Sequence, residues 1–199
     1  MKMSQYFIFL VLCINSCSFL PEPGDETKKF TLDSLTEVER TKNKSPKVET
    51  LIIDQPTVYP PLDQTRVAIK PTPSTIDYIA DIEWADRLGV LIYENMIQSF
   101  QNSGVFKSVG RLNAGLDGKY LLGCDVRKFF EAAAQSCVEV EYFVQLSTLH
   151  DRQTIATQIF NVCIPLVDKS EIAVMAALNQ ANQNIMKQIL TWVEEKTKS

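Results

Sequence analysis

The sequence predicts an α+β fold: a mostly antiparallel β-sheet with two main helices packed on one face. The region 119–164 alternates apolar and polar residues over long runs, which is typical of strands with one buried and one wet face. Two later segments place apolar residues at helical spacing, one after Asp86 and one after Asp168. Antiparallel strands covered by helices on one side give an α+β domain.

The first half of the fold is predicted as short strands followed by one helix. Runs rich in β-forming residues, bounded by prolines or charged loops, predict strands at 30–35, 50–54, 66–70 and 75–84. Asp86 suits the N-cap of the first helix, and Gly104 is expected to end it in the left-handed conformation. The buried stripe of this helix would be Leu88, Ile92, Met96 and Phe100. A brief strand is expected at 105–109.

The second half is predicted as a three-stranded meander and a long helix. The meander strands are expected at 119–130, 136–146 and 154–164, with even-numbered residues such as Val140 and Tyr142 on the buried face. Asp168 and Glu171 form a candidate capping box for the last helix. Its buried stripe would be Val174, Leu178, Ala181, Ile185, Ile189 and Trp192.

The meander also predicts how the cysteines lie. If the second turn is tight around His150, paired residues have numbers that sum to about 300, because turn length fixes register. Cys137 would then lie opposite Cys163, while Cys124 would be free, buried and opposite a position near Phe143. Opposed Cβ atoms are about 4.5–5.5 Å apart, wider than the roughly 3.8 Å that a disulfide prefers. We therefore expect neighbouring thiols that either stay reduced or form a disulfide.

The N-terminus is typical of an export signal. Lys2 supplies a positive charge, the residues 6–14 are apolar, and Pro21 lies close behind. A membrane-spanning helix needs about 20 apolar residues, so this run is too short to cross a bilayer. Its proportions are those of a secretory signal.

The stretch 12–17 is more specific, because it resembles the bacterial lipobox. Ile14 takes position −3, Ser16 the small −1 position, and Cys17 the lipidated +1 position. Cys13 fits badly, since bulky Leu12 would precede it. Ser18 at +2, by resemblance to enterobacterial sorting rules, favours the outer membrane. An ordinary signal peptide, or an uncleaved apolar N-terminus, is the alternative.

This motif divides the chain into three parts. A lipoprotein signal peptide covers 1–16, a lipidated flexible tether covers 17–29, and a single α+β domain covers 30–199. The polar stretch 37–49 is expected to be a surface loop of that domain. The net charge of −4 makes nucleic acid a poor partner.

Catalytic motifs do not stand out in the sequence. His150 is the only histidine and there is no C-x-x-C, so the spacing for a zinc site is missing. We found no G-x-S-x-G elbow and no phosphate-binding glycine loop. Asp81, Glu83 and Asp86 cluster, but a strand end entering a capped helix explains them. We expect neither an enzyme nor a bound cofactor.

Three ordered segments resemble the ABC-type transport auxiliary lipoprotein family, the PqiC-like proteins. They are FTLDSL (30–35), LIIDQPTVYPPLDQTRVAIKP (51–71) and IEWADRLGVLIYENMIQSFQNSGVFKSV (82–109). The matching positions are Pro60, Leu62, Asp63, Arg66, Val67, Trp84, Ala85, Asp86, Ser103, Gly104, Val105 and Phe106. The chain departs from the family pattern at Arg87-Leu88, where prolines are frequent, and in a polar insertion at 41–47.

This resemblance implies an accessory subunit that docks a lipid transporter to a membrane. Its expected partners are an MCE-domain protein and the permease and ATPase chains of an ABC transporter, with a homo-oligomer left open. The motif residues also have structural interpretations: Asp63 would pair with Arg66, and Trp84 would anchor the first helix to the sheet. A lipid-carrying binding lipoprotein and a structural envelope lipoprotein are the alternatives.

Overall fold

The computed structural model describes residues 27–36 and 48–197. The signal peptide, Cys17, nearly all of the tether and most of the polar stretch 37–49 lie outside the described residues. Within them, the strands are β1 Lys28–Phe30, β2 Leu51–Ile53, β3 Thr57–Val58, β4 Arg66–Lys70, β5 Asp77–Trp84, β6 Val109–Arg111, β7 Tyr120–Ala132, β8 Cys137–Thr148 and β9 Thr154–Pro165. The helices are α1 Leu88–Asn102 and α2 Glu171–Lys196, and a 3-10 turn covers Ala133–Gln135.

Two predicted strands lie elsewhere in the structure. The strand expected at 30–35 is β1 at Lys28–Phe30, and the residues after it have no regular secondary structure. The reason is visible at Leu35, whose backbone N–H donates to the Ser99 hydroxyl of α1 at 3.0 Å instead of to a strand. The strand expected at 105–109 begins only at Val109.

The sheet is mixed rather than mostly antiparallel, which corrects the prediction. β7 pairs with β8 antiparallel along its length, but its other edge pairs in parallel with β2, β3 and β4. β1 also runs parallel to β5, and β2 runs parallel to β6. The chain between β4 and β7 passes through α1, and such a crossover connection brings the next strand back in the same direction.

Both helices cover one face of the sheet, as predicted. The predicted stripes of α1 and α2 are buried at every position. Trp192 of α2 meets Phe160 of β9 edge to face, with ring centroids 5.8 Å apart. The N-cap of α2 is Ser170, whose hydroxyl accepts from the Ala173 N–H at 3.4 Å, so the predicted capping box of Asp168 and Glu171 is wrong.

Three strands form the predicted meander, and its faces are as expected. Val138, Val140, Tyr142, Val144 and Leu146 of β8 are all buried beneath the helices. Glu139 and Glu141 point to the other face, where each lies within 3.3 Å of the Lys128 ammonium. Among the described residues, no helix is both long and apolar enough to cross a membrane.

Candidate functional site

The motif segment 60–66 forms a tight turn between β3 and β4. Leu62 donates its N–H to the Tyr59 carbonyl at 2.8 Å, and Asp63 donates to the Pro60 carbonyl at 3.2 Å. The Leu62 side chain is buried. This turn carries the Asp63 carboxylate to the beginning of α1.

Asp63 caps α1 from a distance. Its Oδ1 accepts the Gly89 N–H at 3.1 Å, and its Oδ2 pairs with the Arg87 guanidinium. The predicted pairing of Asp63 with Arg66 is therefore wrong. The predicted N-cap is also wrong: Arg87 holds the cap position, and Asp86 accepts only from the N–H of Arg87 at 2.6 Å. The unpaired N–H groups at a helix start can donate to any well-placed carboxylate.

Gly89 allows this close approach. A Cβ atom at position 89 would lie 2.9 Å from Asp63 Oδ1 and 3.1 Å from a Val58 methyl carbon. Sequence reasoning missed the role of this glycine. Its position in the first turn of a helix, where glycine is unfavourable, was the signal that could have found it.

Arg66 packs on an aromatic ring instead of pairing with a carboxylate. Its guanidinium carbon lies 3.8 Å from the centroid of the Tyr78 ring, and its Nε donates to Gln64 at 3.0 Å. The Tyr78 hydroxyl donates to the Pro61 carbonyl at 3.1 Å. This cation–π contact joins β4 to β5.

Most of the remaining motif residues are buried, while Pro60, Ala85 and Gly104 are exposed. Trp84 is buried and meets Phe129 of β7 edge to face at 5.7 Å. Gly104 follows α1 with φ +61, so it ends the helix in the left-handed conformation as expected. Phe106 stacks on Phe100 of α1 at 6.0 Å. These motif residues thus lie at the two ends of α1.

A buried polar bridge between the two helices was not predicted. The Tyr142 hydroxyl donates to Asn182 Oδ1 at 2.7 Å, and Asn182 Nδ2 donates to Asn95 Oδ1 at 3.0 Å. All three side chains are buried, and burial raises the pKa of Tyr142 well above its usual value. Asn95 Nδ2 is buried without a hydrogen-bond partner among the described residues. Asn182 directly follows Ala181 of the predicted buried stripe. A polar residue next to that stripe was the sequence signal that could have indicated the bridge.

The cysteines follow a register two residues away from the predicted one. Cys137 pairs with Pro165, and Cys163 pairs with Glu139, so the two cysteines are diagonal neighbours on one face. The connection after β8 is longer than a tight turn, and the pairing shifts after Leu146. Diagonal Cα atoms are about 7–8 Å apart, near the limit beyond which a disulfide needs backbone movement.

All three cysteines of the domain are free thiols in the structure. Burial, followed by contact with Cys163, raises the pKa of the Cys137 thiol to about 12. Burial also raises the pKa of Cys124, which is buried opposite Val144. Thiols held in the protonated form react slowly, and the pairing of Cys137 with Cys163 stays a prediction for non-reducing mass spectrometry.

Two clefts of the described surface stand out, and neither is lined by motif residues. One, of about 460 Å³, lies on the sheet face away from the helices and includes Asp54, Asp125, Gln145 and Arg152. The other, of about 430 Å³, lies between β9 and α2. Across the described residues, no group of three or more His, Cys, Asp or Glu side chains could hold a metal ion.

Comparison with known proteins gives one family and several similar folds. Residues 30–190 match the family model of the ABC-type transport auxiliary lipoprotein component. Protein XCC0632 from Xanthomonas campestris, of the DUF330 family, shares 22% identity over 86% of this chain and 95% of its own, with a TM-score of 0.74. An uncharacterized protein shares 14% over 84% of this chain and 99% of its own, with a TM-score of 0.67.

A third solved structure, the hypothetical protein CT253 from Chlamydia trachomatis, shares 10% identity over 75% of this chain and 98% of its own, with a TM-score of 0.52. At these identities the three structures show a shared fold alone. A search of curated proteins finds no significant match.

Proposed function

The chain belongs to the family of ABC-type transport auxiliary lipoprotein components, and we propose that it is the lipid-anchored periplasmic subunit of a lipid transporter. Such a component works in the cell envelope. In this proposal, acyl chains on Cys17 hold the protein in the outer membrane. The folded domain binds an MCE-domain protein, while ATP hydrolysis and the membrane permease belong to other chains.

One observation carries the proposal: the family match runs from β1 into the last turns of α2, and so spans nearly the whole described fold. The apolar interior of that fold supports a role in binding other proteins rather than in catalysis. Apolar side chains fill the space between the sheet and the helices, such as Leu122 from β7 and Ile185 and Ile189 from α2. Motif residues such as Leu62, Trp84 and Phe106 are part of this packing, and we assign the chain no catalytic role.

The structure does not favour a lipid-carrying role. A lipid carrier needs a cavity of several hundred Å³ lined mainly by apolar side chains. The larger cleft has a suitable volume, but carboxylate, amide and guanidinium groups line it. The smaller cleft is lined in part by Phe160 and Trp192. Both side chains are buried, so they offer a lipid little apolar surface.

A pull-down from cross-linked native membranes tests the proposal. The tagged wild-type chain should recover an MCE-domain protein together with an ABC permease and ATPase. The chain with Cys17→Ala, which keeps the folded domain and loses the anchor, is the matched control for contacts that require the membrane. Recovery of stoichiometric lipid or of cell-wall fragments, without any transporter chain, would contradict the proposal.

A further inference from the structure

Several strand ends meet at one end of the molecule. The register aligns Lys70 at the end of β4 with Ala132 at the end of β7, which in turn aligns with Cys137 at the start of β8. Cys137 pairs with Pro165 at the end of β9. We call this side the Pro165 end, and α2 begins there, directly after the loop 166–170.

The N-terminal segment enters the fold from the same end. β5 begins at the Pro165 end, because Asp77 pairs with Ile69 of β4. β1 runs parallel to β5, so it runs away from the Pro165 end and Lys28 is its residue nearest that end. The Lys28 ammonium also lies 3.7 Å from the carboxylate of Glu171, the first residue of α2. The ten residues between Cys17 and Lys28 span at most about 35 Å when extended.

Two apolar side chains project at this end. Val167, in the loop before α2, is fully exposed, and Ile172, in the first turn of α2, is 64% exposed. The loop that carries Val167 is held by the Leu166 N–H, which donates to the Ser136 carbonyl at 2.8 Å. We call these two exposed side chains the tip, and that hydrogen bond ties the loop that carries Val167 to the meander.

The charges around the tip suit a lipid headgroup region. Lys169 is exposed between the two tip residues in the chain, and exposed Lys28 lies beside Glu171 at the start of α2. Acidic groups lie there too: Asp168 accepts from Ser170 and keeps its charge. Glu171 pairs with Lys28, and buried Glu131 interacts with Lys169. Exposed lysines are attracted to anionic lipids, whereas a protein partner is not specified by anything at this end.

We propose that the tip formed by Val167 and Ile172 inserts into the surface of the bilayer that holds the lipid anchor. The inference rests on the proposed acylation of Cys17 and names the face that the anchored domain turns toward the lipid. Two side chains give too little apolar area for stable binding alone, because stable membrane anchoring needs two lipid chains or one chain together with a basic patch. A short tether raises the effective concentration of the tip at the membrane, so a weak contact suffices to orient the domain.

Tryptophan quenching tests the contact on the acylated full chain. Val167→Trp is reconstituted into phosphatidylcholine vesicles with brominated acyl chains, which quench only tryptophans in contact with them. Native Trp84 and Trp192 are 2% and 6% exposed, so they contribute little to the response. The matched control is Ile159→Trp, which is 52% exposed at the native residue but lies in mid-strand on β9.

We expect quenching and a blue shift for Val167→Trp and neither for Ile159→Trp. Adding Ile172→Asp to Val167→Trp should reduce the quenching. Equal quenching at both positions, or none at position 167, overturns the inference.

Vesicle flotation separates this inference from the proposed anchor. If the acylated chain floats with the vesicles but Val167→Trp is not quenched, the anchor stands and the tip contact is wrong. If the Cys17→Ala chain floats as well as the wild type, an anchor other than acylated Cys17 holds it, and quenching of Val167→Trp then decides the tip contact alone. A wild-type chain that does not float contradicts both.

Discussion

Replacing Asp63 by alanine tests the long-range cap of α1. The carboxylate accepts from Gly89 and pairs with Arg87, so Asp63→Ala removes both contacts and leaves the first turn of the helix without its acceptor. Loss of a capping side chain costs about 0.5–2 kcal/mol. A negative charge at a helix N-terminus contributes about 0.3–1 kcal/mol more.

The ion pair adds little to this sum. The Arg87 side chain is 63% exposed, and pairs with such exposure contribute about 0–1 kcal/mol. We expect Asp63→Ala to lower the free energy of unfolding by about 1–3 kcal/mol. For a domain of this size that corresponds to a fall in Tm of roughly 2–4 °C per kcal/mol. Asp63→Asn, which keeps an acceptor oxygen, should lose only the charge contribution.

Urea unfolding of the purified full chain measures the difference, and Asp86→Ala is the matched control. Asp86 was the N-cap expected from the sequence, but its carboxylate contacts only the next backbone N–H. Its replacement should change stability by no more than about 0.5 kcal/mol, as for ordinary surface sites. A larger loss for Asp86→Ala than for Asp63→Ala would refute the long-range cap.

A double-mutant cycle with Gly89 sharpens the test. Alanine at position 89 gains helix propensity of about 1 kcal/mol, but its Cβ would lie 2.9 Å from the Asp63 carboxylate. Gly89→Ala should therefore be more damaging in the wild type than in the Asp63→Ala background. Additive effects would mean that the two residues are not in contact.

Three further predictions concern other parts of the chain. Tyr142→Phe should cost about 1–3 kcal/mol in urea unfolding, because it leaves the buried Asn182 oxygen without its donor; an unchanged midpoint would contradict the bridge. Burial raises the pKa of Glu131, opposed by the charge of Lys169, so the protonated form favours the folded state. Stability should therefore fall as the pH rises from the ordinary carboxyl pKa through the raised value, and Glu131→Gln should flatten this slope in thermal scans at several pH values. Cys17→Ala should yield an uncleaved or soluble periplasmic form in cell fractionation, and a cleaved form that stays in the membrane fraction would refute the lipobox interpretation.

Periodicity explains which parts of the fold could be predicted. The meander strands show a residue period of two, and the helices show stripes at helical spacing, so each buried face could be read locally. Every predicted core position of α2, from Val174 to Trp192, is buried. These patterns report which side of an element is buried, and they do not report which element covers it.

Strand direction and capping depended on distant contacts. β7 pairs in parallel with strands that precede it by dozens of residues, and no local pattern distinguishes that pairing from an antiparallel one. Asp63 and Gly89 are separated by 26 positions in the chain. The rule that a helix begins at a nearby capping residue selected Asp86, while the folded chain supplied a carboxylate from another loop.

The positions of the motif residues decide how the transport role must be tested. Trp84 and Phe106 are buried at the two ends of α1, Gly104 ends that helix in the left-handed conformation, and Asp63 holds its start. Substitutions at these positions would lower stability, and a less stable subunit would lose partner binding whether or not these residues touch a partner. Loss of transporter recovery in such variants therefore says nothing about the contact surface. Exposed substitutions that leave the unfolding midpoint unchanged, such as those at Val167, are the ones from which a docking surface can be inferred.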